Sequence, residues 1–119
     1  MVSTRLKMIL TPEEIGRLKI TGSNSDHIKI IADVHGMKCY QARRFINNII
    51  NAVRVSLQLT IIHGYNHGTA IKDMLAQNFS NNHIYEQFPD SCNQGVTHML
   101  IAAEKKGAHR YEKDTPQYC

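Results

Sequence analysis

Two short stretches concentrate groups that can move protons or hold anions. The first is Asp33-Val34-His35-Gly36. On a strand, residues i and i+2 face the same side, so Asp33 and His35 share one side while Val34 faces the core. A carboxylate beside an imidazole fixes its tautomer, and Gly36 lets the chain turn sharply and a phosphate approach. The second stretch is His63-Gly64-Tyr65-Asn66-His67-Gly68-Thr69, a loop with two glycines and two histidines that opens a helix. Backbone N–H groups at a helix amino terminus form an anion site, and Gly68 and Thr69 stand where such donors would be. Tyr65 can stack on a base or sugar, and Asn66 can adopt a positive φ or donate a hydrogen bond. Each stretch also has a plainer reading. Asp33 and His35 can be strand-end polar groups bonded to the next helix, and the loop can be an ordinary βα turn.

Metal binding competes for the same groups. His63 and His67 have H-x3-H spacing, and Asp33 and His35 could complete a site. The two histidines fall in a glycine-bearing loop rather than on one helix face, however, and Asp33 and Asp73 are the only carboxylates near these loops. No metal or other cofactor is required by this pattern, and a divalent metal is left open. Lys29, Lys38, Arg43, Arg44 and Lys72 flank the stretches as phosphate contacts or as a solvated basic face. Cys39 and Cys92 lack an activating partner and read as inert thiols, while His27, His83 and His98 read as structural.

Placing these groups requires the surrounding elements. Ile28 to Val34 and Leu57 to Ile62 are compact apolar runs, each read as a strand that stops at a His-Gly pair. Between them, Ala42, Phe45, Ile46, Ile49, Ile50 and Val53 follow the helical period, predicting a helix from Tyr40 to Val55. Ile71, Met74, Leu75 and Phe79 mark a shorter helix from near Thr69. Ile84 to Phe88 and Val96 to Ala102 read as strands joined too tightly for a helical crossover, hence antiparallel. Thr11-Pro12-Glu13-Glu14-Ile15 carries a capping box with proline at the first helical position. Thr21 to Asp26 reads as turn material, so residues 1–27 are expected to form a helical arm, 28–103 the main domain and 104–119 a polar basic tail. The expected fold is a mixed α/β (α+β) two-layer sandwich, β-α-β-α-β-β with two packed helices. A βαβ unit makes its two strands parallel, and open sheets bind ligands at the carboxyl ends of such strands. If the two strands are adjacent, His35 and His63 are brought close together.

Composition permits this reading without selecting it. The chain has 119 residues, 42% hydrophobic and 20% charged, which describes one ordinary domain able to carry a core. Fourteen basic against ten acidic residues make a net charge of +4, compatible with an anionic partner. Three cysteines without a CxxC pair argue against a disulfide framework or zinc knuckle, and no apolar run can span a bilayer. With no signal-peptide pattern at the amino terminus, a reducing cytoplasm is expected.

Together, Asp33-Val34-His35-Gly36-Met37, the helix, Leu59-Thr60-Ile61-Ile62-His63-Gly64, the glycine-bearing loop, the second helix and Gly95-Val96-Thr97 resemble the Smr (small MutS-related) domain. The resemblance covers about residues 28–102. The loop Tyr65 to Ala70 is similar to that of small stand-alone members. The resemblance implies a fold similar to the carboxyl-terminal domain of translation initiation factor three, with nucleic-acid binding and, in many members, endonuclease activity. The family's Asp-x-His-Gly signature falls on Asp33, His35 and Gly36, and its His-Gly-x-Gly loop on His63, Gly64 and Gly68. Asn66 stands where many members have glycine.

These residues lead to the expectation of a phosphodiester-cleaving domain. His35 would be its acid or base, Asp33 would orient a histidine, and His63 would be the complementary acid or a phosphate ligand. Gly36, Lys38, Gly64, Tyr65, Asn66, His67, Gly68, Thr69 and Lys72 would contact nucleic acid. A histidine-rich, carboxylate-poor site favours RNA, which brings its own 2′-OH nucleophile. The alternative is a non-catalytic module that binds nucleic acid or a ribosome. Neither reading involves a membrane, and the oligomeric state is unknown.

Overall fold

A computed structural model describes residues 2–22, 28–53, 55–64, 68–77 and 79–103. The described elements are α1 (Val2–Ile9), α2 (Pro12–Ile15), β1 (Leu18–Thr21), β2 (Lys29–Asp33), α3 (Cys39–Ala52), β3 (Leu57–Ile62), α4 (Ala70–Gln77), β4 (Ile84–Pro89) and β5 (Val96–Ile101). They build a mixed α+β fold around a five-stranded sheet of order β1-β2-β3-β5-β4. The β2–β3 pair is parallel and every other pair antiparallel. Among the described residues no helix is long and apolar enough to cross a membrane.

Strand alternation divides the sheet into two faces. Ile30 and Ala32 of β2, Leu57, Leu59 and Ile61 of β3, and Met99 and Ile101 of β5 are buried on one face. They share a core with Phe45, Ile46, Ile49 and Ile50 of α3 and Ile71, Met74 and Leu75 of α4. The helical period expected for α3 therefore identifies its buried stripe. The opposite face carries Ile31, Thr60, Ile62, Val96, His98 and Leu100, all half-buried. There His98 accepts or donates at both ring nitrogens, to Asp90 (2.6 Å) and Thr60 (3.0 Å). His83 is tied to the Ala102 carbonyl at 3.0 Å, so both histidines have the structural surroundings expected of them. His27 and the 104–119 tail lie outside the described residues.

The amino-terminal segment departs from the expectation of an appended helical arm. Thr11 does cap α2, with Glu14 Oε1 accepting from the Thr11 N–H (2.9 Å) and the Thr11 hydroxyl accepting from the Glu14 N–H (3.1 Å). That helix ends at Ile15, however, and Leu18–Thr21 forms an edge strand antiparallel to β2. Leu6 of α1 and Leu10 join the main core, and α1 packs on α3. Four alternating residues are too short a signal to announce a strand. Pairing with the free edge of β2 satisfies their backbone groups and makes them one.

Candidate active site

Parallel pairing brings the two His-Gly strand ends together. Asp33 is in register with Ile62, and the Val34 N–H donates to the Ile62 carbonyl at 2.9 Å. His35 and His63 therefore emerge side by side at the carboxyl ends of β2 and β3. Both strands end with glycine in the left-handed region, Gly36 at φ +83° and Gly64 at φ +74°, a conformation that disfavours any side chain. A Cβ on Gly64 would lie 3.7 Å from that of His35, so the two turns are in contact distance. Asp33, His35, Gly36, His63, Gly64 and Gly68 all line one cavity of about 700 Å³, together with Ala70 and Ile71 at the start of α4.

Within this cavity His35 is the available imidazole. Its side chain is 65% exposed, and its Nδ1–H donates to Asp33 Oδ1 at 2.5 Å. The same carboxylate oxygen accepts the His35 backbone N–H at 3.1 Å. Asp33 thus fixes the turn and the tautomer together. Nε2 makes no hydrogen bond to a described residue, so it carries the free lone pair of the neutral ring.

His63 is placed differently from the expectation of a complementary acid or a phosphate ligand. It is 6% exposed, and both its nitrogens are engaged. Nδ1–H donates to the Gly64 carbonyl at 2.9 Å, and Nε2 accepts from the Thr97 hydroxyl at 2.8 Å. The carbonyl can only accept, which assigns the proton to Nδ1. Burial holds its pKa below the ordinary histidine value, with the nearby Lys72 charge acting in the same direction against the opposing Gly64 carbonyl bond. A neutral ring with both nitrogens bonded positions the β3 turn and has no proton to lend.

The phosphate contacts expected around the cavity separate into distinct groups. The Gly64 N–H is spent on the Gly95 carbonyl (3.0 Å), which also takes the His63 N–H (2.9 Å). Thr69 donates its hydroxyl to Asp73 at 2.9 Å rather than offering it to a ligand. Lys38 is the N-cap of α3 through its backbone, its N–H donating to Gln41 Oε1 at 3.1 Å, and its ammonium has no acceptor with which to cap. Lys72 lines a neighbouring cavity of about 390 Å³ beside Thr97. Lys29 sits at the amino end of β2, the far end of the strand from Asp33. Tyr65, Asn66 and His67 lie outside the described residues, and with them half of the H-x3-H spacing. Among the described residues no group of three or more His, Cys, Asp or Glu side chains stands close enough to hold a metal ion.

Three supports were not foreseen in these roles. Arg17, between α2 and β1, donates from Nη1 to the carbonyls of Asp33 (3.1 Å) and His35 (3.3 Å) and so clasps the turn from outside. Thr97 fixes the His63 ring. Gly95 presses so closely on the β3 turn that a Cβ there would come within 3.0 Å of Gly64 Cα. Its placement follows from the β4–β5 connection. Asp90 Oδ2 accepts the N–H groups of Cys92 and Asn93, and Asn93 Oδ1 accepts that of Gly95 at 2.8 Å. Gly95-Val96-Thr97 was visible as a strand opening, but nothing in its spacing indicated a hold on His63.

No family model, curated protein or solved structure matches this chain.

Proposed function

We propose that the domain binds nucleic acid and cleaves phosphodiester bonds, with RNA preferred to DNA. One observation carries the reading: an exposed imidazole, its tautomer set by Asp33, presents an unbonded Nε2 at a glycine-lined cavity that ends on a helix amino terminus. The first N–H groups of a helix have no partner within it and favour an anion, here one seated near Ala70 and Ile71. His35 Nε2 takes the proton of a 2′-OH as that oxygen attacks the adjacent phosphorus. The P–O5′ bond breaks, the leaving oxygen is protonated from solvent, and a 2′,3′-cyclic phosphate remains. DNA lacks that nucleophile. Membership of the Smr family, the finer likeness to the carboxyl-terminal domain of translation initiation factor three and a cytoplasmic setting belong to the same proposal.

The test is incubation of single- and double-stranded RNA and DNA with purified protein, with and without chelator. His35→Ala is expected to lower RNA cleavage by about 10²–10⁴-fold, the usual contribution of a general base. Asp33→Asn should also impair it, because an amide no longer fixes the ring as the carboxylate does. RNA cleavage unchanged in His35→Ala sinks the assignment. The state of His63 favours a second reading, a binding module for nucleic acid or a ribosome, because that ring supplies no acid to complement His35. Salt-dependent binding without cleavage under any metal condition would select it.

A further inference from the structure

Asp33 and His35 line a second cavity, of about 680 Å³, on the opposite side of their turn from the first. Its other walls include Glu13, Arg17, Lys19 and Ile31, three of them from the amino-terminal segment. The turn is therefore shared by both cavities, and its His35 side chain is exposed. A strand cut internally carries phosphates on both sides of the scissile bond. A reactive group flanked by two cavities suits such a strand better than it suits a small molecule, which needs only one.

We propose that, given the nucleic-acid reading above, the RNA strand crosses the Asp33–His35 turn and seats a flanking phosphate in the β1-side cavity on Arg17 and Lys19. The ion pairs His35–Asp33 and His98–Asp90 include neither Arg17 nor Lys19, so neither cation is held in direct contact with a carboxylate of those pairs. Arg17 spends Nη1 on two carbonyls and keeps the other donors of its guanidinium. Lys19 is exposed, on the same sheet face as its half-buried cross-strand partner Ile31, which offers an apolar surface to a sugar or base. Glu13 opposes the two cations. With Asp33 counted as well and His35 neutral, the two carboxylates balance the two cations, so a phosphate would be held there by the direct donors of Arg17 and Lys19 and not by a net charge. The amino-terminal segment thereby contributes a subsite as well as an edge strand.

Lys19→Gln tests this, because the Lys19 side chain makes no described hydrogen bond or ion pair whose loss would disturb the fold, and its backbone pairing in β1 is kept. Lys29→Gln removes the same charge from the far end of β2 and controls for net charge. On a single-stranded RNA of a dozen nucleotides, Lys19→Gln is expected to raise Kd and KM about 3–10-fold with kcat unchanged. The slope of log K against log salt should fall by about 0.7, the share of one phosphate contact on a single strand. On a dinucleoside monophosphate, which has no flanking phosphate, Lys19→Gln and wild type should be equal. The subsite is lost if Lys19→Gln behaves like wild type on the long RNA, matches Lys29→Gln, or weakens the dinucleotide equally. Those results leave the proposed function standing, whereas wild type that neither binds nor cuts RNA removes both.

Discussion

His35 and His63 are both followed by glycine at the end of a parallel strand, yet their surroundings give them opposite characters. His35 is exposed and bonded at one nitrogen, while His63 is buried and bonded at both. The difference should appear in the pH dependence of stability. The unfolded chain takes up a proton on His63 at the ordinary value of 6.5, whereas the folded chain resists it, so the unfolded state binds more protons below that pH. His63's contribution is complete above about pH 6.5 and is lost as pH falls toward its depressed folded pKa. Denaturant midpoints at about pH 5 and 7.5 should therefore differ less in His63→Gln than in wild type, and an unchanged difference would contradict this account. Gly95 allows a second test at this scale. In Gly95→Ala the added Cβ meets Gly64 backbone atoms at 3.0 and 3.3 Å, which cannot yield as a side chain would. A loss of about 1–3 kcal/mol is expected from such overpacking, read from chemical denaturation.

Among the elements, α1 and β1 change the picture most. Leu6 is 1% exposed and belongs to the main core, whereas Met8 on the same helix is 80% exposed. Leu6→Ala should cost about 2–5 kcal/mol, the usual range for emptying a buried leucine site, and Met8→Ala should stay within about 0.5 kcal/mol. Equal and small effects would show α1 to be a detached arm after all. The capping box of α2 and the stripe of α3 were legible because their signals are local, a cap three residues from its partner and apolar side chains at helical spacing. β1 was not legible. Leu18-Lys19-Ile20-Thr21 alternates for only four residues, and it is the unpaired N–H and C=O groups along the edge of β2 that recruit it.

At the scale of the whole molecule, the Asp33–His35 turn and the neighbouring β3 turn are held from both directions along the chain. Arg17 clasps Asp33 and His35 from the amino-terminal side, and Gly95 holds His63 and Gly64 from the carboxyl-terminal side. Removing residues 1–27 would take away this clasp, uncover the β2 edge and leave the core surface that receives Leu6 and Leu10 open. The shortened chain is expected to associate or lose cooperative unfolding, as seen by size-exclusion chromatography and thermal circular dichroism. A monomer with an unchanged melting temperature would refute that expectation.

The sequence alone determined most of the element types from Ile28 onward and the parallel sense of the two strands that end in His-Gly, because hydrophobic period and the βαβ connection are carried by neighbouring residues; that the strands are adjacent, so that the two pairs meet, came from the sheet. It also identified Asp33 and His35 as partners, since alternate residues of a strand share a side. The fate of His63 was decided only by tertiary structure, because its hydroxyl partner Thr97 lies 34 residues away and comes within 2.8 Å through strand pairing. Arg17 was likewise beyond reach, being brought to the turn by an edge strand that exists only once β2 is there to receive it. Spacing shows which groups can face one another. Packing decides which nitrogens remain free.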